Sequence, residues 1–280
     1  MYNCKPISFN SIDGYIYNGL LFEAEQSKTT VIHVHGSCGN ARSFHAILDL
    51  AQIYQHSGIN LLTFDLKGHD CIAEGNWNTG KFEYIGGSVV NFNECINDIK
   101  SAISFCNNFS ERIILQGHSM GCERVLTYQI DTKNFYDTIL ISPCNAYELQ
   151  SRFIYPERVS EQIDRIKKLD KNILLENEYG IKNQNENYTI PIYRDAFLAI
   201  ATGNAFSLFN TKNPKKFFIP KRCLCCIGSE DALQTSTPKE MFKTISSNFN
   251  SFTSSIFDCN HEFDNCGFDL GHQIINWLSK

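Results

Sequence analysis

The sequence predicts an α/β fold, a mostly parallel, doubly wound sheet carrying a helical insertion, and three observations lead there. Apolar runs of strand length alternate with helical patterns between residues 31 and 141 and again from 222 to the end. One of these strands, residues 112–116, runs straight into Gly117-His118-Ser119-Met120-Gly121, and a helical pattern follows over 122–130. The alternation stops after Ser142-Pro143, and the stretch that follows is more charged and largely helical by pattern. Residues 1–144 and 216–280 therefore read as the core, and 145–215 as an insertion standing at the carboxyl edge of the sheet, where a lid would sit.

Taken in order, Ile7-Ser8-Phe9, the turn at Asp13-Gly14 and the run 15–22 form a hairpin pattern. Val31-Ile32-His33-Val34-His35 is a buried strand ending at Gly36-Ser37-Cys38-Gly39-Asn40. A helix is expected from about 41 to 56, stopped by Gly58, then a strand at 60–64 ending in Asp65-Leu66-Lys67-Gly68-His69-Asp70. A polar loop through Gly75, Gly80, Gly86 and Gly87 leads to a helix near 91–107, with Ile96, Ile99 and Ile103 at apolar positions. After the serine-bearing turn and its helix comes a strand at 138–141. Within the insertion, Val159, Ile163, Ile166 and Leu169 share one helix face, and the Asn/Glu-rich stretch 176–187 reads as a loop. A strand at 222–227, a helix near 238–246, a strand at 252–257 and a helix over 267–279 complete the chain.

Hydrophobic residues at 42% against 20% charged are enough for a packed core. The net charge of −5 and the lack of a basic run give nucleic acid no electrostatic purchase. Met1-Tyr2-Asn3-Cys4-Lys5-Pro6 holds no apolar signal core, and no apolar run has membrane-spanning length, so a cytoplasmic protein is expected. The twelve cysteines are scattered through helical and strand patterns. Cys223-x-Cys225-Cys226 lacks the two-residue spacer of zinc and redox motifs. The thiols therefore read as small buried hydrophobes, with no metal and no organic cofactor implied.

A tight strand-to-helix turn needs small residues on both sides of the serine, and Gly117 and Gly121 supply them. The turn sets the Ser119 hydroxyl above the sheet edge at a helix N-terminus, which favours a developing anion. A serine hydroxyl is a poor nucleophile and needs a base, which in turn needs an orienting acid. Both should follow the serine, each after a later strand. Asp231 fits the acid, with its neighbour Glu230 as substitute; His261 fits the base. Asp258 and Asp264 flank His261 on its own loop. Two backbone donors are needed for the oxyanion: Met120, after the nucleophile, and Ser37, with Cys38 as fallback. Asp65 and His69 read as braces, and His118 as part of the scaffold. Cys122 and Cys38 are nucleophile candidates only without Ser119.

With these motifs in place, the chain resembles the α/β-hydrolase superfamily through His35-Gly36-Ser37, Asp65-Leu66-Lys67-Gly68-His69, Gly117-His118-Ser119-Met120-Gly121, Gly228-Ser229-Glu230-Asp231 and Asn260-His261. His33-Val34-His35-Gly36-Ser37-Cys38-Gly39-Asn40, Lys67-Gly68-His69-Asp70 and Tyr84-Ile85-Gly86-Gly87 also resemble a subgroup that includes fungal hydrolases of ester-linked siderophores. The resemblance implies the α/β-hydrolase fold and ester hydrolysis through a Ser-His-Asp triad. The expected activity is cleavage of a small to medium soluble ester or thioester. Acyl transfer on the same residues and a non-catalytic binding module are the alternatives. Aromatic residues of the insertion (Phe153, Tyr155, Tyr193, Phe197, Phe206, Phe209) are candidates for either pocket or core.

Overall fold

The computed structural model describes residues 3–145, 159–171, 173–176, 180–182, 187–189, 191–202, 208–212 and 215–280. Its main sheet has eight strands: β1 (Cys4–Asn10), β2 (Ile16–Phe22), β3 (Thr29–Val34), β4 (Asn60–Phe64), β5 (Arg112–His118), β6 (Asp137–Ile141), β7 (Ile219–Gly228) and β8 (Phe249–Phe257). Their spatial order is β1-β2-β4-β3-β5-β6-β7-β8. The first hairpin is antiparallel, as is its join to β4, and every pair from β4 onward is parallel.

Period-two alternation explains how the sheet is covered on both sides. Val31, Leu61, Ile114, Ile139, Leu224 and Cys226 face one layer, formed by α1 (Ile47–His56) and the C-terminal helix (Gly267–Leu278). Their neighbours Ile32, Leu62, Leu115, Leu140, Cys223 and Cys225 face the other layer. That layer holds α2 (Cys95–Cys106), α3 (Met120–Thr132) and, further along, the helix Pro238–Ser246. Cys223, Cys225 and Cys226 thus act as small apolar groups on two faces of one strand. All twelve thiols are free.

Three local differences from the sequence reading have physical causes. The helix expected from 41 begins only at Ile47. The backbone before it is bonded elsewhere: the Ala41 N–H donates to Asp65 Oδ1 at 2.7 Å, and its carbonyl accepts from Thr63 Oγ1 at 2.6 Å. Groups held by a neighbouring strand and loop cannot also build a helical ladder. The polar loop contains a short antiparallel pair, Ala73–Glu74 with Tyr84–Ile85, followed by Gly86 at φ 121°. Within the stretch read as loop, 176–187, Gly180–Lys182 forms a strand that pairs with Asn187–Thr189 at its end.

In the insertion, α4 (Val159–Ile166) and α5 (Arg194–Ala201) bring Ile166, Ile192, Ala196 and Phe197 into one cluster with Met120 of α3. Arg194 ties this part together, donating to the carbonyls of Ile166 (3.3 Å) and Lys167 (2.8 Å). Phe197 and Phe209 are buried core residues, and Tyr193 is half-buried. Phe153, Tyr155 and Phe206 lie outside the described residues. Among the described residues, no helix is long and apolar enough to cross a membrane.

A buried polar network fixes the loop after β4. Asp98 of α2 accepts from the Tyr17 hydroxyl at 2.7 Å and from the Lys67 N–H at 3.2 Å. Lys67 Nζ, itself buried, reaches Asp13 at 2.6 Å and Glu94 at 3.4 Å. Burial pushes the Asp98 carboxyl up to about 7, against the pull of the Tyr17 hydroxyl, Lys67 and Arg124. An acid raised in the folded state stabilises fully below its unfolded value of about 3.9, and that contribution is lost as pH rises through the folded value. The protein is therefore expected to lose stability relative to Asp98→Asn between about pH 4 and about pH 7, the gap staying constant above. Urea midpoints of both proteins across this range check it; a pH-independent gap would show the carboxyl to be ionised throughout.

Candidate functional site

Ser119 sits between β5 and α3 at φ 55° and ψ −125°, a backbone conformation that costs energy for any residue with a Cβ. The surrounding glycines make it sterically possible. A Cβ on Gly121 would lie 2.0 Å from the Val34 carbonyl oxygen, and one on Gly117 would lie 2.4 Å from the Gly121 oxygen. Helix α3 thus starts against the end of β3 with backbone touching backbone. The Ser119 N–H donates to the Ile141 carbonyl at 2.9 Å, fixing the turn to β6.

The structure brings Asp231 and His261 together. His261 Nδ1 lies 2.9 and 2.8 Å from the two Asp231 oxygens. The Asp231 carboxylate also accepts from the Leu233 N–H (2.9 Å) and from Gln234 Nε2 (3.0 Å). Burial pushes this carboxyl up, but the bond to His261 and its charge, with Gln234 and Leu233, outweigh it and hold the group below the usual carboxylate range. Asp231 is therefore an anion that fixes the Nδ1–H tautomer. Glu230 is exposed. Asp258 accepts from Ser229 Oγ at 3.2 Å, and Asp264 is bonded to His45 and Asn260.

His261 Nε2 is buried with no hydrogen-bond partner among the described residues. Ser119 Oγ has turned toward Cys144, whose Sγ is 3.9 Å away, so serine and histidine are not hydrogen-bonded to each other. The main chain at His261 is held instead. Its carbonyl oxygen accepts from His118 Nε2 at 3.1 Å and from Ser142 Oγ at 3.0 Å. Burial first, then the neighbouring His261, keeps His118 well below the usual histidine range, so it is a neutral donor.

Gly36 lies against the serine: a Cβ on it would lie 3.0 Å from Ser119 Cβ. The Gly36 carbonyl accepts from three groups, His35 Nδ1 (2.9 Å), Arg124 Nη1 (3.1 Å) and the Gly39 N–H (3.4 Å). Arg124 also donates to the His35 carbonyl at 3.0 Å. In a planar trans peptide the carbonyl and the following N–H point opposite ways, so these bonds direct the Ser37 N–H away from Arg124. Met120 opens α3, where an amide has no carbonyl one turn back. Asp65 and His69 brace the loops, the latter through the Leu66 carbonyl at 2.8 Å.

Arg124, Ser142 and Gln234 carry positioning bonds that the sequence reading did not identify. An arginine on an amphipathic helix reads as solvent-facing, and only the bonded loop carbonyls give it a buried place. Beside the elbow, Ser37, Leu66, Val90, Phe92, Met120 and Ile192 line a cavity whose polar lining includes Asp98 and Arg124. It borders both candidate amides but is not lined by Ser119, Asp231 or His261. Among the described residues, His118, His261 and Glu262 offer donor atoms within 4.8 Å of one another. The Nε2 of His118 already donates its proton to a carbonyl and so has no lone pair to give a metal ion.

A family model described as serine aminopeptidase, S33, matches residues 25–186. No curated protein matches the sequence. Similar solved structures include the esterase Pf2001 of Pyrococcus furiosus, at 17% identity and a TM-score of 0.60 over 99% of this chain and 91% of that one. Est1E of Butyrivibrio proteoclasticus is similar at 14% identity and 0.63, over 98% and 97%. The α/β-hydrolase GrgF of Penicillium sp. sh18 is similar at 15% identity and 0.65, over 99% and 96%. At such identities the likeness is one of fold.

The elbow geometry generates a stability prediction. Gly121→Ala is expected to lower the unfolding free energy by about 3 kcal/mol or more, or to prevent soluble folding. A urea midpoint equal to that of the unmodified protein would refute the close approach of α3 to β3.

Proposed function

The chain belongs to the serine aminopeptidase, S33, family of α/β-hydrolases, and from that premise we propose that it is a serine hydrolase that cleaves a carboxylic ester or thioester of a small to medium soluble substrate. The observation that carries this reading is the buried Asp231–His261 pair, its Nε2 unpartnered among the described residues, beside a serine on a strained elbow.

Ser119 Oγ swings from Cys144 to His261 Nε2 when substrate enters, since catalytic hydrogen bonds tighten in the substrate complex. His261 takes the hydroxyl proton as Oγ attacks the carbonyl carbon. Asp231 stabilises the imidazolium without taking its proton. The oxyanion rests on the Met120 and Ser37 amides, the latter aimed by Arg124 through the Gly36 carbonyl. His261 then passes its proton to the departing alkoxide or thiolate, and water, deprotonated by His261, resolves the acyl-enzyme. Alkoxides and thiolates leave more readily than amide nitrogens, which favours esters. The core is 1–144 and 216–280, and 145–215 is a lid. Its packing on Met120 through Ile192 and Ala196 supports that role.

A fluorophosphonate is expected to label Ser119 alone and a p-nitrophenyl ester series to be turned over, with both lost in Ser119→Ala. Label on another residue, or no turnover of any ester, would sink the reading. Asp231→Asn should lower kcat about 10³- to 10⁴-fold with the fold intact. Arg124→Met should lower kcat about tenfold to a hundredfold while KM moves little, because the lost alignment matters most in the transition state. A change confined to KM would remove Arg124 from that role.

A further inference from the structure

Arg124 is only 5% exposed. Among the described residues its guanidinium bonds to two neutral groups alone, the carbonyls of His35 and Gly36, and both bonds run from Nη1. A cation buried without an anion is costly, and a ligand that brings one relieves the cost. Nη2 stands beside Gly68, where a Cβ would lie 3.2 Å from it. Both residues line the cavity next to the elbow, so Nη2 is aimed into that cavity with its N–H groups unclaimed among the described residues.

The acidic residues of the lining are engaged elsewhere. The two Asp98 oxygens accept from the Tyr17 hydroxyl at 2.7 Å and from the Lys67 N–H at 3.2 Å. Glu94 reaches Lys67 Nζ at 3.4 Å. Burial pushes the Asp98 carboxyl up to about 7, which removes part of its charge near neutral pH. The guanidinium is therefore the uncompensated charge of this wall.

We propose that this cavity is the acyl pocket and takes a short acyl chain that ends in a carboxylate, bound by Arg124 Nη2. The assignment rests on the hydrolase reading above. His261 must pass its proton to the leaving oxygen, so the leaving group lies on the histidine side. The cavity is lined by neither His261 nor Asp231, but it borders Ser37 and Met120, whose amides receive the carbonyl oxygen. The substituent that can enter it is the acyl chain. Val90, Phe92 and Ile192 give its methylenes an apolar wall. The volume is about 40 Å³, room for about three waters, which suits a chain of a few heavy atoms and not a fatty acyl chain. One arginine then serves two ends: Nη1 holds the oxyanion loop and Nη2 reads the far end of the acyl group.

The test uses ethyl hydrogen succinate and ethyl 4-methylpentanoate, a pair with the same leaving group and nearly the same shape, in which two methyls replace the carboxylate oxygens. Ethanol release should give a kcat/KM about tenfold to a hundredfold higher for the succinate, the range for a hydrogen bond to a charged group. In Arg124→Met the neutral ester should lose only the alignment effect described above, while the succinate should also lose its preference, so that the two converge. Gly68→Ala places a methyl beside Nη2 and should lower kcat/KM for the succinate about tenfold more than for ethyl acetate, which has no chain to place there.

Equal kcat/KM for the matched pair, in a protein that takes fluorophosphonate on Ser119, would overturn the acyl pocket and leave the hydrolase reading intact. So would a succinate preference that survives in Arg124→Met. Should that variant fail to fold, Gly68→Ala decides: equal losses on succinate and acetate would overturn the pocket. A protein that neither labels at Ser119 nor turns over any of the three esters would overturn both readings.

Discussion

The contact between the first turn of α3 and the end of β3 is the constraint from which the site follows. Gly121 leaves no room for a side chain against Val34, so the helix begins directly on the neighbouring strand. This close approach puts Ser119 over the sheet edge. One turn later it puts Arg124 under the loop that follows β3, where the guanidinium can hold the carbonyls of His35 and Gly36. The strained serine backbone is tolerated because the rest of the turn is over-determined, with the Ser119 amide on the Ile141 carbonyl and glycines where a Cβ would collide. Ser119 and the loop are thus positioned by one packing event.

The Asp231–His261 half of the candidate site is assembled differently. Asp231 and His261 come from loops after β7 and β8, which pair in parallel register, so the two loops leave the sheet side by side. Gln234 spans from Asp231 to the Pro143 carbonyl at 3.0 Å, tying this loop to the end of β6. The ends of β3, β5, β6, β7 and β8 come together at the carboxyl edge, as expected where parallel strands and their helices wind on both faces. The insertion closes onto the same edge through Met120, which joins its apolar cluster.

Much of the architecture was legible in the sequence because its signals are local. Buried strands such as 31–35 and 222–227 are apolar on both faces, and the Gly-x-Ser-x-Gly turn needs only its own glycines. The Asp231–His261 contact follows from chain order on such a sheet. What local pattern could not carry are bonds made across the fold. Residues 41–46 look helical, but Asp65 and Thr63 claim the Ala41 backbone. Arg124 looks solvated until the loop carbonyls are seen to need donors. The insertion offered least: beyond the helix face of Val159, Ile163, Ile166 and Leu169, its mixed charge and short apolar runs specify no period.

His261 sits beyond the outermost strand, yet its loop is gripped by two residues nearer the middle, His118 and Ser142, and the grip is on the main-chain oxygen. Every amino acid brings that oxygen. Anchoring and chemistry are therefore inherited separately: the imidazole can be exchanged without loosening the loop, and the anchors can drift without altering the imidazole. A descendant of this chain that had lost its histidine would keep the scaffold of the site, ready for another occupant of the same position.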